Sequence, residues 1–507
     1  MTIPYDRKWN WRRCHSRVYT RATSFEIDKG TSAITPSSSD AALSSIMSPA
    51  VEITLGNTPA TAITYDKTIT SKAERLWSSP PSDDVSRAMA NNLTTHASLG
   101  TLSSLLNGLG SKLINGFLKT QSNFEQTVVA YRYGARGASA LDATTNASAI
   151  KSAKNLSNNI SLKIHTASGK DVEIAITFGG DGQSIQDSLS VEIHSSAKLT
   201  AAEQAAIAKL SKGFDAALQG IGGDAPTVDV SGLVDFDTTV LSGVDLSVRA
   251  TSATNGLQAL DFHADATRRS LTMQSAAGRV GVAVDLSAPA TWGSRAQQQS
   301  AVQNYLNQFD AANKRAHAGL VLLEQFKDAF AQLNSDYPSA NQTKGTLPVL
   351  SLSDKDRSVL SGLGDFQASM RGDFYNGSPT HVITEAGHID YQISQHTKTN
   401  GEFKSRDLSV AQTQSAKLIA SFAKSRSGAM LDPKAGNYDI YRINDENTAT
   451  TAFEYSNGEL KNAFVKTLTN QSEHYEKLLN HKIVEQKETP YKNFTVRDIT
   501  EILRKAD

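Results

Sequence analysis

From residue 159 to 248 apolar and polar positions alternate in a way that predicts strands around one helix. Ile160, Leu162 and Ile164 alternate with polar neighbours, and Ala167-Ser168-Gly169-Lys170 supplies a turn. Val172, Ile174, Ile176 and Phe178 then resume the period of two that marks a half-buried strand. Leu189, Val191 and Ile193 repeat it over residues 187–194. Leu199-Thr200-Ala201-Ala202-Glu203 reads as a helix start, Thr200 capping the first free amides and Glu203 reaching back to the cap. Ile207, Leu210, Phe214 and Leu218 follow at helical spacing. Neither helix nor sheet can hide its apolar side alone. Phe214 is therefore expected on the sheet face made by Ile174, Ile176 and Val191, with Asp215 turned to solvent.

The pattern predicts the rest of the chain less evenly. Residues 51–70 read as short β-like pieces broken by Gly56 and Pro59, and Leu76-Trp77 before Pro80-Pro81 as a linker. Residues 82–133 read as helical, with Leu99, Leu102, Leu106, Leu109, Leu113 and Phe117 at three- and four-residue spacing. Val244 to Leu286 alternates through several short turns, a β-meander. Residues 297–333 predict a helix of roughly 55 Å if unbroken, with Gly319 as a bend or a turn between two helices. Leu352-Ser353-Asp354-Lys355-Asp356 and Ile389-Asp390-Tyr391-Gln392-Ile393 echo the central unit, as a degenerate repeat or by chance. Helices are expected at 408–424, 464–486 and 496–505, and a hairpin at 438–464 turning at Asn457-Gly458. The resulting class is α+β: an antiparallel meander packed by one capped helix, with flanking long amphipathic helices and a second, smaller α+β region. The expected divisions are a tail at 1–46, short β pieces and helices at 47–150, a central α+β domain at 151–290, a helical segment at 291–335, a linker at 336–348, and a C-terminal α+β domain at 349–507.

Composition narrows function by exclusion. Lys+Arg and Asp+Glu are both 51, so net charge is zero. This argues against nucleic acid, whose affinity needs phosphate neutralisation, and against an anionic membrane surface. The single cysteine, Cys14, rules out an intramolecular disulfide and a thiolate metal site. No run approaches the roughly eighteen apolar residues of a transmembrane helix, and no apolar segment behind Arg12-Arg13 makes a signal peptide. The expected location is cytoplasmic by default, with leaderless export as the alternative. Residues 1–46, with a basic arm and Ser/Thr-rich sequence, are expected to be a solvated tail or sequence upstream of a start at Met47.

Candidate sites are sparse. Gly179-Gly180-Asp181-Gly182 follows a strand, as in phosphate-binding kinase loops, but an alternating strand before it and another strand after it favour a plain turn. Gly108-Leu109-Gly110 lies in a helical region without the strand a dinucleotide fingerprint requires. His381, Glu385 and His388 have metal-ligand spacing if helical, yet Pro379, Gly387 and the following alternation argue for strand and loop; they are weak metal candidates. Arg371-Gly372-Asp373 is short enough to occur by chance, and His165 and His263 fall within strands as structural residues. No cofactor motif is read.

The unit from the Ser161-to-Phe178 hairpin through the Leu-Thr-x-x-Glu cap, the apolar helix ending at Gly220 and the returning strand resembles a domain of uncharacterised proteins from Pseudomonas-like bacteria. The resemblance covers about a fifth of the chain, with a looser likeness over 51–133, and departs at Phe214-Asp215. It implies a bacterial origin and brings no established activity. The expected function is a non-catalytic binding or assembly protein with a protein partner. The alternative is an enzyme with a dispersed hydrolytic or metal-dependent site between His381 and His396.

Overall fold

The computed structural model describes residues 74–131, 143–180, 186–223, 226–227, 229–250, 256–337, 352–377, 382–402, 406–426 and 428–504. Its first strands are β1 (Glu74–Trp77), β2 (Phe124–Tyr131), β3 (Asn159–Thr166), β4 (Asp171–Gly179) and β5 (Gln186–Ser195). A meander follows as β6 (Leu241–Arg249), β7 (Leu257–Asp265), β8 (Arg268–Ser275) and β9 (Gly278–Asp285). The last six are β10 (Asp365–Gly377), β11 (Ile383–Glu402), β12 (Asp407–Ser425), β13 (Tyr438–Ser456), β14 (Glu459–Leu479) and β15 (Lys482–Asp498). All fifteen join one antiparallel sheet in the order β1-β2-β5-β4-β3-β6, then in chain order to β15. The α+β class holds. The sheet passes without a break from β9 to β10, pairing Val284 with Phe366, although residues 286–364 separate the two strands in sequence.

The central unit forms as its pattern dictates. Ile160, Leu162, Ile164, Val172, Ile174, Ile176, Leu189, Val191 and Ile193 are all buried on one face. Over them lies α5 (Ala201–Gly222), whose Thr200 and Glu203 form a reciprocal capping box. Ile207, Leu210, Phe214 and Leu218 are fully buried in the same core, each side chain contributing about 1.5–3 kcal/mol of transfer free energy. Glu203 does more than cap: it accepts from Ser168 Oγ and Lys170 Nζ, tying the β3–β4 turn to the helix start. The Lys170 ammonium, then Ser168, hold its carboxyl down to about 2, against the opposing effect of burial.

Helices α2 (Leu102–Leu106), α3 (Leu109–Thr120) and the short α6 (Ser231–Val234) cover α5 in turn, α1 (Asp84–Leu99) packs on α2, α3 and strands β5 and β2, and α4 (Ala143–Lys154) packs on β2, β5 and β4. A Cβ on Gly110 would stand 2.8 Å from the Phe214 ring, and one on Gly213 2.5 Å from the Gly232 backbone, so these helices touch where glycine allows it. Asp215 is not a free solvent-facing group as expected; it accepts the Ser111 N–H at 3.0 Å and caps the start of α3. The helical expectation for 82–133 holds only to Thr120. Phe124–Tyr131 is β2, and Leu76-Trp77, expected in a linker, pairs with it as β1.

Between β9 and β10 the chain forms α7 (Arg295–Ala316) and α8 (Leu320–Leu333). The long helix breaks at His317, which adopts a left-handed φ of 56°, followed by Ala318 and Gly319. Phe309, Phe326 and Phe330 meet Tyr305, Phe366 and Tyr391 in edge-on and tilted ring pairs beneath the two helices. Buried Arg269 reaches through this layer to the α8 C-terminal end, donating to the carbonyls of Leu333 (3.2 Å), Asp336 (2.7 Å) and Ser335. A cation there complements the helix dipole.

The C-terminal third departs most from expectation. Residues 408–424 and 464–486, expected as helices, are β12 and the β14–β15 hairpin, and 496–505 divides between β15 and the short α10 (Thr500–Arg504). Ladders of strand pairs over nearly the whole of β12 override the helix preference of its Ala, Gln, Lys and Leu. The Asn457-Gly458 hairpin forms as read, both residues at positive φ (54° and 82°). Asn480-His481 makes a second such turn with φ 47° and 63°, and it lacks the glycine that would reveal it. β11 to β15 run 17 to 21 residues each, roughly 55–70 Å. A small second core of Leu352, Leu360, Val410, Phe453, Ile499 and Leu503 gathers under α9 (Asp354–Ser358) and α10. Ser353 and Asp356 cap α9 with the same reciprocal box as Thr200 and Glu203.

Every residue of β15 is exposed. The Ile499 N–H donates to the Ala463 carbonyl at 2.9 Å, which sets the phase of the ladder: even-numbered β15 residues point their backbone groups away from β14. Pro490 is among them and removes a donor from the open edge. Lys487, Glu488 and Lys492 add charge beside it, a common protection against stray strand pairing.

Candidate functional site

Across β6–β12 the helices lie on one face, and among the described residues the other face carries none. Period-two alternation puts a different residue set there. Small side chains line the middle: Ser270 and Thr272 on β8, Gly281 and Ala283 on β9, and Ser369 on β10. Larger ones rise at either side, Asp245 and His263 on β6 and β7, Gln392 and Lys417 on β11 and β12. The result is an open polar trough of about 870 Å³.

One wall of the trough is an alternating chain of carboxylates and imidazoles. His165 Nδ1 meets Asp171 Oδ1 at 2.7 Å, and its Nε2 meets Asp245 Oδ2 at 3.0 Å. Asp245 Oδ1 meets His263 Nδ1 at 2.7 Å, and His263 Nε2 meets Asp265 Oδ2 at 3.0 Å. The run Asp171–His165–Asp245–His263–Asp265 therefore crosses β4, β3, β6 and β7. His165 stands opposite Gly243 on β6, with Asp245 two residues along the same strand. Asp265 also accepts the amides of Thr267 and Arg268, both at 2.7 Å, fixing the β7–β8 turn.

The electrostatics follow from this geometry. Partial burial pushes His263 down, yet the bonds to Asp265 and Asp245 outweigh it and its pKa lies above the ordinary imidazole value. Burial likewise pushes Asp265 up, and is outweighed by the His263 bond and the turn amides, so its carboxyl lies below the usual range. Both nitrogens of both rings are engaged by carboxylates. Neither is left over to activate a nucleophile or hold a metal. Among the described residues no three His, Cys, Asp or Glu side chains are placed to hold a metal ion.

The residues singled out by sequence lie elsewhere. His381, Asp181 and Gly182 are outside the described residues. Glu385 and His388 are three apart on β11 and so face opposite sides of the sheet. Glu385 is buried on the helix-bearing side, against Lys424 (2.6 Å), Asn376 (3.2 Å) and His317 (3.5 Å). Burial pushes its carboxyl up, but Lys424 and Asn376 outweigh this and hold it low. His388 pairs with Asp373 at 2.7 Å on the other side, and His396 with Asp365 at 3.2 Å farther along. Arg371-Gly372-Asp373 sits inside β10, all three paired with β11 and Arg371 also with β9, rather than displayed on a loop. Gly108-Leu109-Gly110 opens α3.

The chain of His165, Asp245 and His263 was half visible: these polar residues occupy the outward positions of strands the alternation predicts. Their meeting was not visible, because it needs β6 beside β3, a neighbour set by a crossover through α5. No protein-family model, no curated protein and no solved structure matches this chain.

Proposed function

We propose that this chain is a binding protein that takes an extended, polar ligand, most simply a peptide segment of a protein partner, along the trough. The carrying observation is the trough itself: a floor of Ser270, Thr272, Gly281, Ala283 and Ser369 between taller polar walls, on a face that from β6 to β12 carries no helix among the described residues. Small floor residues leave room for a chain to lie flat, and hydroxyl, amide and charged walls offer directional bonds. A catalytic reading is less supported. It needs groups that converge, and Glu385, His388 and His396 spread along one strand and over both its faces. Assembly through the β15 edge is also disfavoured by Pro490 and the charges around it.

The test is an array of extended peptides and linear oligosaccharides probed with the full chain and with Ser369→Trp, which fills the floor from an exposed position. Ligands retained by the wild type and lost by the variant support the proposal. Ligands bound equally by both, or turned over on the array, would overturn it.

A further inference from the structure

We propose that the Asp171–His165–Asp245–His263–Asp265 chain is a proton-operated switch in the trough wall, locked while both imidazoles are protonated and released when they are not. It stands whether or not the trough takes the ligand proposed above.

The argument is one of counting. The chain has four nitrogen-to-oxygen contacts of 2.7 to 3.0 Å, all between an imidazole and a carboxylate. An ionised carboxylate only accepts, so each contact needs an N–H on the ring. Four contacts on two rings require both rings to be imidazolium. A neutral ring keeps one N–H, and its other nitrogen then turns a lone pair toward an oxygen at hydrogen-bonding distance. Neutralising both rings leaves two of the four contacts repulsive and takes the charge of the five groups from −1 to −3 (three carboxylates, two rings). Asp245 is shared by both rings, so the two titrations are coupled and belong to the chain rather than to either residue.

The surroundings do not remove this dependence. Around His165, Lys163 is occupied by Glu173 at 3.3 Å, and Gly243 faces the ring from β6. Around His263, Asp261 on its own strand pairs with Arg249 at 2.7 Å, Ser270 stands opposite on β8, and Arg268 lies one row away. Arg268 is the one cation near the chain without a carboxylate partner among the bonds described, and it lies beyond the Asp265 end. The side chains of His165, Asp245 and His263 are each a little over a third exposed, so protons reach them without unfolding. Asp245 and His263 both line the trough, so release frees a carboxylate there and loosens the β3–β6–β7 wall.

The experiment is an NMR pH titration of the imidazoles in the full chain, with amide exchange followed on β6 and β7. His263 should titrate above the ordinary imidazole midpoint, and at the acid end of the titration both rings should carry a proton on each nitrogen. Asp245→Asn should lower the His263 midpoint, because one of the two carboxylates that raise it is lost. Protection of β6 and β7 amides, corrected for intrinsic rates, should fall between pH 6 and pH 9. If Asp245→Asn does not fold, Asp171→Asn and Asp265→Asn read the same coupling from the ends. Midpoints unmoved in these variants, or β6–β7 protection unchanged across that range, would overturn the switch.

Discussion

The two ends of this sheet are held by different physics. From β3 to β10 every second residue is buried beneath helices, and the fold rests on apolar contacts such as those of Phe214, Phe309 and Phe330. From β13 to β15 most side chains are partly or wholly exposed, and the strands rest on long backbone ladders, cross-strand pairs and the small cluster around Phe453. A buried face fixes register, because a slip of one residue would turn the apolar set to water. A sheet wet on both sides has no such constraint except its turns. This is why the Asn457-Gly458 and Asn480-His481 turns carry so much of the C-terminal architecture.

The sharpest break between the ends should come from side-chain truncation. Phe214→Ala removes a fully buried ring and should cost about 3–5 kcal/mol through lost transfer and a cavity. Phe494, 56% exposed on β15, should lose no more than about 0.5 kcal/mol on the same change. Chemical denaturation of the full chain measures both, and equal losses would erase the contrast.

A second contrast is in pH dependence. Glu203 has a folded pKa of about 2, below its unfolded value. Its contribution is therefore fully present above the unfolded value of roughly 4.3 and is lost as pH falls toward the folded one. His263 is shifted up, so its contribution is present below roughly 6.5 and is lost as pH rises through the higher folded value. Glu203→Gln should flatten stability between about pH 4.5 and 2 and cost about 1–2 kcal/mol at pH 6. His263→Asn should flatten it only on the alkaline side. A variant that flattens the wrong limb would show that the named group does not carry the shift. A smaller effect is expected at Asp215→Ala, about 1 kcal/mol from the lost α3 cap, read by the same denaturation; no change would return Asp215 to the solvent-facing role its helix spacing predicts.

What could be read in the sequence follows the same divide. The β3–β4 hairpin, the Thr200–Glu203 box and the meander were legible, because burial on one face writes a period of two into the residues. The box at Ser353 and Asp356 falls where the sequence offered only an echo of the first, left open between a degenerate repeat and chance. In β12, Val410, Ala416, Leu418, Ala420 and Phe422 do occupy the inward positions, but Ala411, Ile419 and Ala423 blur the alternation toward a helix. β14 and β15 bury almost nothing, so no period is imposed and helix-forming Glu, Lys and Leu dominate the reading. Pro490 inside 482–498 was the available clue against a helix there and in favour of an edge strand. The site was less legible than the fold, since its chain joins four strands that only the sheet order brings together.

Native-state hydrogen exchange at pH 6 tests the contrast between the two ends most directly. Amides of β3–β6 should exchange only through global unfolding. The inward-pointing amides of β15, at Tyr491, Asn493 and Thr495, should exchange through a local opening several kcal/mol below it, despite their bonds to β14. Protection at those three positions equal to that of Leu162 and Leu246 would contradict the division and make the sheet one cooperative unit from end to end.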